Sequence, residues 1–253
     1  MTNKMFDVSG KRVIVTGAAQ GLGYGMAEGF LESDAEVVLI DISDKLDKVV
    51  EELKRKGYKA HAVKGDLSNR DDIHRMVEES VEIMGGVDVL IPAAGIQRRH
   101  RSDQFPMEDW DAVIDINLTA VFLMNKLCAQ YMIKQGYGKI INIASMVSWF
   151  GGITVPAYTA AKGGLTQMTK TMANDWAELG INVNAIAPGY MATDMNEAIL
   201  DDEERNKKIT ERIPKGRWGT PDDMKGTALF LASSASDYLS GAVIPVDGGY
   251  LVR

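Results

Sequence analysis

The chain has 253 residues, 45% of them hydrophobic, and a formal charge of −7 at pH 7. That is enough apolar material for one large core, and an α/β domain of this length commonly stands alone. The acidic balance supplies no broad basic face, which argues against a nucleic-acid partner. No apolar run reads as transmembrane, and Met1-Thr2-Asn3-Lys4-Met5-Phe6-Asp7 lacks a signal-peptide core, so no membrane association is expected.

The first element, residues 12–17, is a short β-branched apolar run and reads as a buried parallel strand. A glycine-rich turn follows, Gly17-x3-Gly21-x-Gly23 with Gln20 and Leu22 between, and then a helical pattern from Met26. A strand, a glycine turn and a helix start suit a dinucleotide pyrophosphate. Glycines let backbone N–H groups approach the phosphates, and the helix N-terminus supplies a positive dipole end. The second strand, 36–41, ends at Asp41, 18 residues beyond Gly23. A carboxylate there accepts a hydrogen bond from a ribose 2′-hydroxyl and repels a 2′-phosphate, so NAD is expected over NADP.

Further strands are expected at 59–64, 87–91, 138–144, 181–187 and 242–247. Helices are expected at about 21–32, 43–57, 69–84, 107–135, 155–179 and 221–233. This alternation predicts a single-domain, Rossmann-type, doubly wound parallel sheet of about seven strands with helices on both faces. Ligands then bind at the carboxyl ends of the strands. The single cysteine, Cys128, falls in an apolar helical run and fits buried packing in a reducing cytoplasm.

Ser145 follows the fifth strand, and Tyr158 and Lys162 open the next helix four residues apart. Residues i and i+4 share one helical face. A tyrosine has an ordinary pKa near ~10, and a fixed ammonium neighbour favours its phenolate. The trio therefore reads as a proton donor and acceptor beside a hydroxyl that holds a substrate oxygen. After Gly95 the chain runs Ile96-Gln97-Arg98-Arg99-His100-Arg101. Arginine can clamp a carboxylate with two parallel hydrogen bonds, so Arg98 and Arg99 point to an anionic substrate. Trp149, Phe150, Tyr190 and Trp218 are candidates for the pocket wall. No metal site is assigned.

Thr16-Gly17-x3-Gly21-x-Gly23, Asp66-Leu67, Ala94-Gly95, Asn117, Ser145, Tyr158-x3-Lys162 and Pro188-Gly189 occur in this order. Together they resemble the short-chain dehydrogenase/reductase family over essentially the whole chain. The resemblance implies that Tyr158 is the general acid/base, with Lys162 lowering its pKa and holding the nicotinamide ribose. It also implies that Ser145 positions the substrate and that Asn117 supports a water relay. Asp66 would contact the adenine, with Leu67, Ala94, Gly95 and Pro188 completing the cofactor site. One departure stands out: the family's usual Asn-Asn before Ala-Gly is here Pro92-Ala93. Within the family, the 138–146, 182–193, 217–219 and 232–238 segments resemble sugar-acid dehydrogenases of uronate and gluconate catabolism. That implies NAD-dependent chemistry on a six-carbon keto sugar acid, with residues 189–216 as a substrate lid and a homotetramer as the assembly. A reductase of carrier-bound 3-oxoacyl groups would share the catalytic motifs. A nucleotide-sensing module that had lost the chemistry is the non-enzymatic alternative.

Overall fold

The computed structural model describes residues 4–253. Among them, seven strands form one all-parallel sheet. They are β1 (Arg12–Thr16), β2 (Glu36–Asp41), β3 (Lys59–Lys64), β4 (Val89–Pro92), β5 (Gly138–Ile143), β6 (Ile181–Pro188) and β7 (Val243–Val246). Their order is β3-β2-β1-β4-β5-β6-β7. The direction of winding reverses between β1 and β4, and ligand crevices form at such a point.

The helices are α1 (Gly21–Glu32), α2 (Leu46–Arg55), α3 (Arg70–Met84), α4 (Met107–Ile114), α5 (Ala120–Gln135), α6 (Pro156–Trp176), α7 (Glu197–Leu200), α8 (Glu203–Arg212) and α9 (Asp222–Ala232). Side chains alternate across β1. Val13 and Val15 pack with Met26, Phe30, Leu46 and Leu231 of α1, α2 and α9 on one face. Ile14 packs with Met76, Met124, Cys128 and Met172 of α3, α5 and α6 on the other. Each fully buried side chain of this size contributes about 1.5–3 kcal/mol. The helix ends carry ordinary signals. Asn69 caps α3 by accepting from Asp71 N and Asp72 N, and Gly136 ends α5 in the left-handed region at φ 68°.

The expected strands agree with those observed to within two residues. The expected helix at 107–135 is divided. Residues Asp115–Thr119 form a π-helical turn between α4 and α5, and it carries Asn117 into the interior. Contrary to the sequence reading, the stretch Met107–Gln135 is long and apolar enough to cross a membrane by length and composition. Half of its apolar window is buried, with Ala120, Met124, Cys128 and Met132 in the core beneath the sheet, so it serves here as a core helix. Residues 189–216, which show little periodicity, fold into α7 and α8.

Candidate active site

A cavity of about 530 Å³ opens beyond the carboxyl ends of β1, β2 and β4. Gly17, Gln20, Gly21, Leu22, Gly23, Asp41, Asp66, Leu67, Ala94 and Gly95 all line it. Its floor has room for backbone only. A Cβ on Gly23 would stand 2.2 Å from the Gly17 carbonyl oxygen, and one on Gly17 would stand 2.7 Å from Ala94 Cα. Gln20 makes no side-chain cap to α1, so the first-turn N–H groups of that helix are left for an anion at the cavity. Asp41 is anchored at the far side, with Oδ2 accepting from Ala19 N (3.0 Å) and Oδ1 from Ser43 N (2.9 Å). A cavity of this size, floored by glycine and ending at a fixed carboxylate, fits a nicotinamide dinucleotide.

Pro92-Ala93 proves compatible with the site. Pro92 continues the β1–β4 register opposite Thr16, and the Thr16 hydroxyl accepts from Ala94 N at 3.1 Å. The brace comes from β1 rather than from an asparagine. Asn117 is fully buried. It accepts from Ile96 N (3.0 Å) and donates to Ile96 O (2.8 Å), which fixes the loop after β4.

A second cavity, of about 450 Å³, adjoins the first, and Met195 lines both. Ser145, Tyr158, Arg99 and Tyr190 line this second cavity. Pro156 starts α6, and one helical turn places Lys162 Nζ 5.6 Å from the Tyr158 ring centroid. Lys162 Nζ donates to Ile143 O at 2.6 Å, and burial pushes its pKa down to about 8. Burial also pushes the Tyr158 phenol above its ordinary value, while a hydrogen bond with Ser145 and the charge of Arg99 pull it back. The expectation that Lys162 lowers the phenol is therefore not met in this arrangement. Its ammonium is spent on a backbone carbonyl, and desolvation outweighs the cations nearby.

The phenolate, which removes a proton from an alcohol, is favoured by Arg99. Arg99→Ala should raise the Tyr158 pKa further. With an uncharged alcohol as substrate, the pH-dependent rise of oxidative kcat/KM should then move to higher pH. A rise at unchanged or lower pH would rule out this electrostatic link.

Besides Asn117, five residues expected at the site line neither cavity. Arg98 is exposed, bonds Asp109 (3.2 Å) and does not line the second cavity, because adjacent residues of an extended loop point apart. Trp149 is 49% exposed and outside both cavity walls. Trp218 is buried behind Tyr190, with ring centroids 5.2 Å apart, and forms a second layer. Pro188 ends β6, and Lys162 is buried; neither lines a cavity directly. Sequence reading also missed Arg205, Lys208, Arg212 and Tyr250, all of which line the second cavity. The i, i+3, i+7 spacing of the three cations was the available signal, since it places them on one face of a helix.

The geometry is that of a dinucleotide-dependent oxidoreductase, and the chain belongs to the short-chain dehydrogenase/reductase family. Residues 17–251 match the family described as enoyl-(acyl carrier protein) reductase. The chain is 45% identical to the 2-dehydro-3-deoxy-D-gluconate 5-dehydrogenases of Dickeya dadantii and Escherichia coli, over 98% of both chains in each case. It is also similar to the crystal structure of a gluconate 5-dehydrogenase from Burkholderia cenocepacia in complex with NADP and tartrate. That likeness has a TM-score of 0.95 and 37% identity, and covers 99% of this chain and 98% of the other.

Proposed function

We propose that this protein interconverts a hydroxyl and a ketone on a six-carbon deoxy keto sugar acid, as a 2-dehydro-3-deoxy-D-gluconate 5-dehydrogenase does. The observation that carries the reading is the second cavity. It sets Tyr158 and Ser145 in one space with arginines that suit a carboxylate, and it abuts the glycine-floored cavity. Residues 189–216, which contribute Tyr190, Met195 and α8 to this wall, serve as the substrate lid. Homology at 45% identity supports the same substrate class.

The dinucleotide, when bound, supplies the two-electron hydride exchange. Gly17, Gln20, Gly21, Leu22, Gly23, Asp66, Leu67, Ala94 and Gly95 line its site, and Pro188 and Lys162 support it from behind the cavity walls. In oxidation, Ser145 holds the substrate oxygen and the Tyr158 phenolate takes the hydroxyl proton as the carbonyl forms. In reduction the Tyr158 phenol returns that proton. Asn117 holds the loop at Ile96 and supports proton exchange through the lysine.

NAD is the preferred cofactor, because the Asp41 carboxylate repels a 2′-phosphate. A second reading, use of both dinucleotides, has its own support: the gluconate 5-dehydrogenase from Burkholderia cenocepacia, 37% identical to this chain, was crystallised in complex with NADP. Asp41→Ala should lower the NAD/NADP ratio of kcat/KM by about 10–100-fold, the worth of one or two charge-assisted contacts. An unchanged ratio would remove Asp41 from the assignment. The substrate reading is tested by dinucleotide reduction with 2-dehydro-3-deoxy-D-gluconate, gluconate and a 3-hydroxybutyryl thioester side by side. Turnover of the first alone supports it; turnover of only the thioester overturns it.

We also place the enzyme in the reducing cytoplasm, where its buried Cys128 thiol, pushed up to about 12, stays inert. A homotetramer is the proposed assembly, supported by family likeness and by the exposed Met107, Phe122 and Ile133 of α4 and α5.

A further inference from the structure

Arg205, Lys208 and Arg212 of α8 all line the cavity that holds Ser145 and Tyr158. Two of the three are already engaged. Lys208 pairs with Glu204 at 2.6 Å, and the Arg212 guanidinium lies 4.1 Å from the Tyr250 ring centroid. Arg205 is different. Its backbone N–H donates to Asp202 Oδ1 at 3.0 Å, but among the described residues its guanidinium has no hydrogen bond or ion pair. Arg99, which reaches the same cavity from the loop after β4, donates to the neutral Gln97 Oε1 at 2.6 Å and meets no carboxylate. No acidic residue lines this cavity among those described. The two guanidiniums are near enough that, after burial, the charge of Arg205 is the next influence depressing the pKa of Arg99. Both side chains are only partly exposed, and like charges brought together in such a cavity repel until an anion joins them.

We propose that Arg205 and Arg99 together clamp the carboxylate of the substrate, one from the lid segment and one from the body of the sheet. The inference rests on the sugar-acid reading and deepens it. The substrate's own charge relieves the repulsion between the two arginines and ties α8 down over Ser145 and Tyr158. A neutral sugar of the same shape lacks that tie, so the clamp sets specificity as well as affinity.

The test compares 2-dehydro-3-deoxy-D-gluconate with 3-deoxy-D-fructose, which carries a hydroxymethyl group in place of the carboxylate. Steady-state kcat and KM are measured for wild type, Arg205→Ala and Arg205→Lys. Loss of one charge-assisted clamp should raise KM for the acid by about 10–100-fold in Arg205→Ala, with a much smaller change in kcat. The preference for acid over neutral sugar should fall by the same factor, kinetics on the neutral sugar should hold, and Arg205→Lys should recover part of the preference. A variant that slows both sugars equally, or that keeps the wild-type preference, overturns the clamp while leaving the sugar-acid reading intact. A wild-type enzyme indifferent to the carboxylate overturns both.

Discussion

Tyr158→Phe should remove most of kcat in both directions, by about 10²–10⁴-fold, while dinucleotide affinity is kept. The substitution deletes one oxygen and leaves the ring, so packing on α6 changes little. The other proton-bearing side chains of the second cavity are engaged elsewhere: the Tyr190 and Tyr250 rings meet edge-on, with centroids 5.2 Å apart, and Lys208 pairs with Glu204. Ser145 holds its proton at neutral pH, and Lys162 is buried with its ammonium on Ile143 O at 2.6 Å. A guanidinium does not give up its proton in a protein. Steady-state rates with dinucleotide binding followed by fluorescence separate the two effects. Near-normal turnover in Tyr158→Phe would show that the proton comes from elsewhere.

Gly23→Ala should cost about 3 kcal/mol or more and weaken dinucleotide binding by over about 100-fold. The added methyl would sit 2.2 Å from the Gly17 carbonyl oxygen and 3.0 Å from that of Thr16. Both neighbours are backbone, so relief requires β1 and α1 to move apart. That movement destroys the close strand-to-helix packing on which phosphate approach depends. Thermal unfolding and dinucleotide titration report the two losses. A variant with wild-type melting and affinity would contradict the placement of the glycine turn.

The sheet was legible in the sequence because its central strands β1, β2 and β4 are short apolar runs between turn residues and are buried on both faces. The cofactor cavity was legible for a related reason: its lining is mostly backbone, and glycine spacing records where backbone must come close. The substrate cavity was less so. Arg98 and Arg99 are neighbours in a loop with no period, and only the fold decides that Arg99 enters the cavity while Arg98 turns to Asp109. The π-turn at Asp115–Thr119 carries no sequence period of its own, yet it is what buries Asn117 against Ile96. The direction of the Tyr158 shift was misjudged because spacing shows proximity to Lys162 and says nothing of desolvation. Arg205 was missed because α8 is short and highly charged, and its inward face is defined only once it lies over the second cavity.

The most direct test of the whole account follows a labelled hydrogen. 2-Dehydro-3-deoxy-D-gluconate carrying deuterium at the carbon that bears its 5-hydroxyl is turned over with NAD⁺, and the reduced dinucleotide is analysed by mass spectrometry. Transfer of the deuterium to the dinucleotide in wild type, with none formed by Tyr158→Phe on the same timescale, is the predicted result. Reduced dinucleotide without the label, or label released to water, would contradict it.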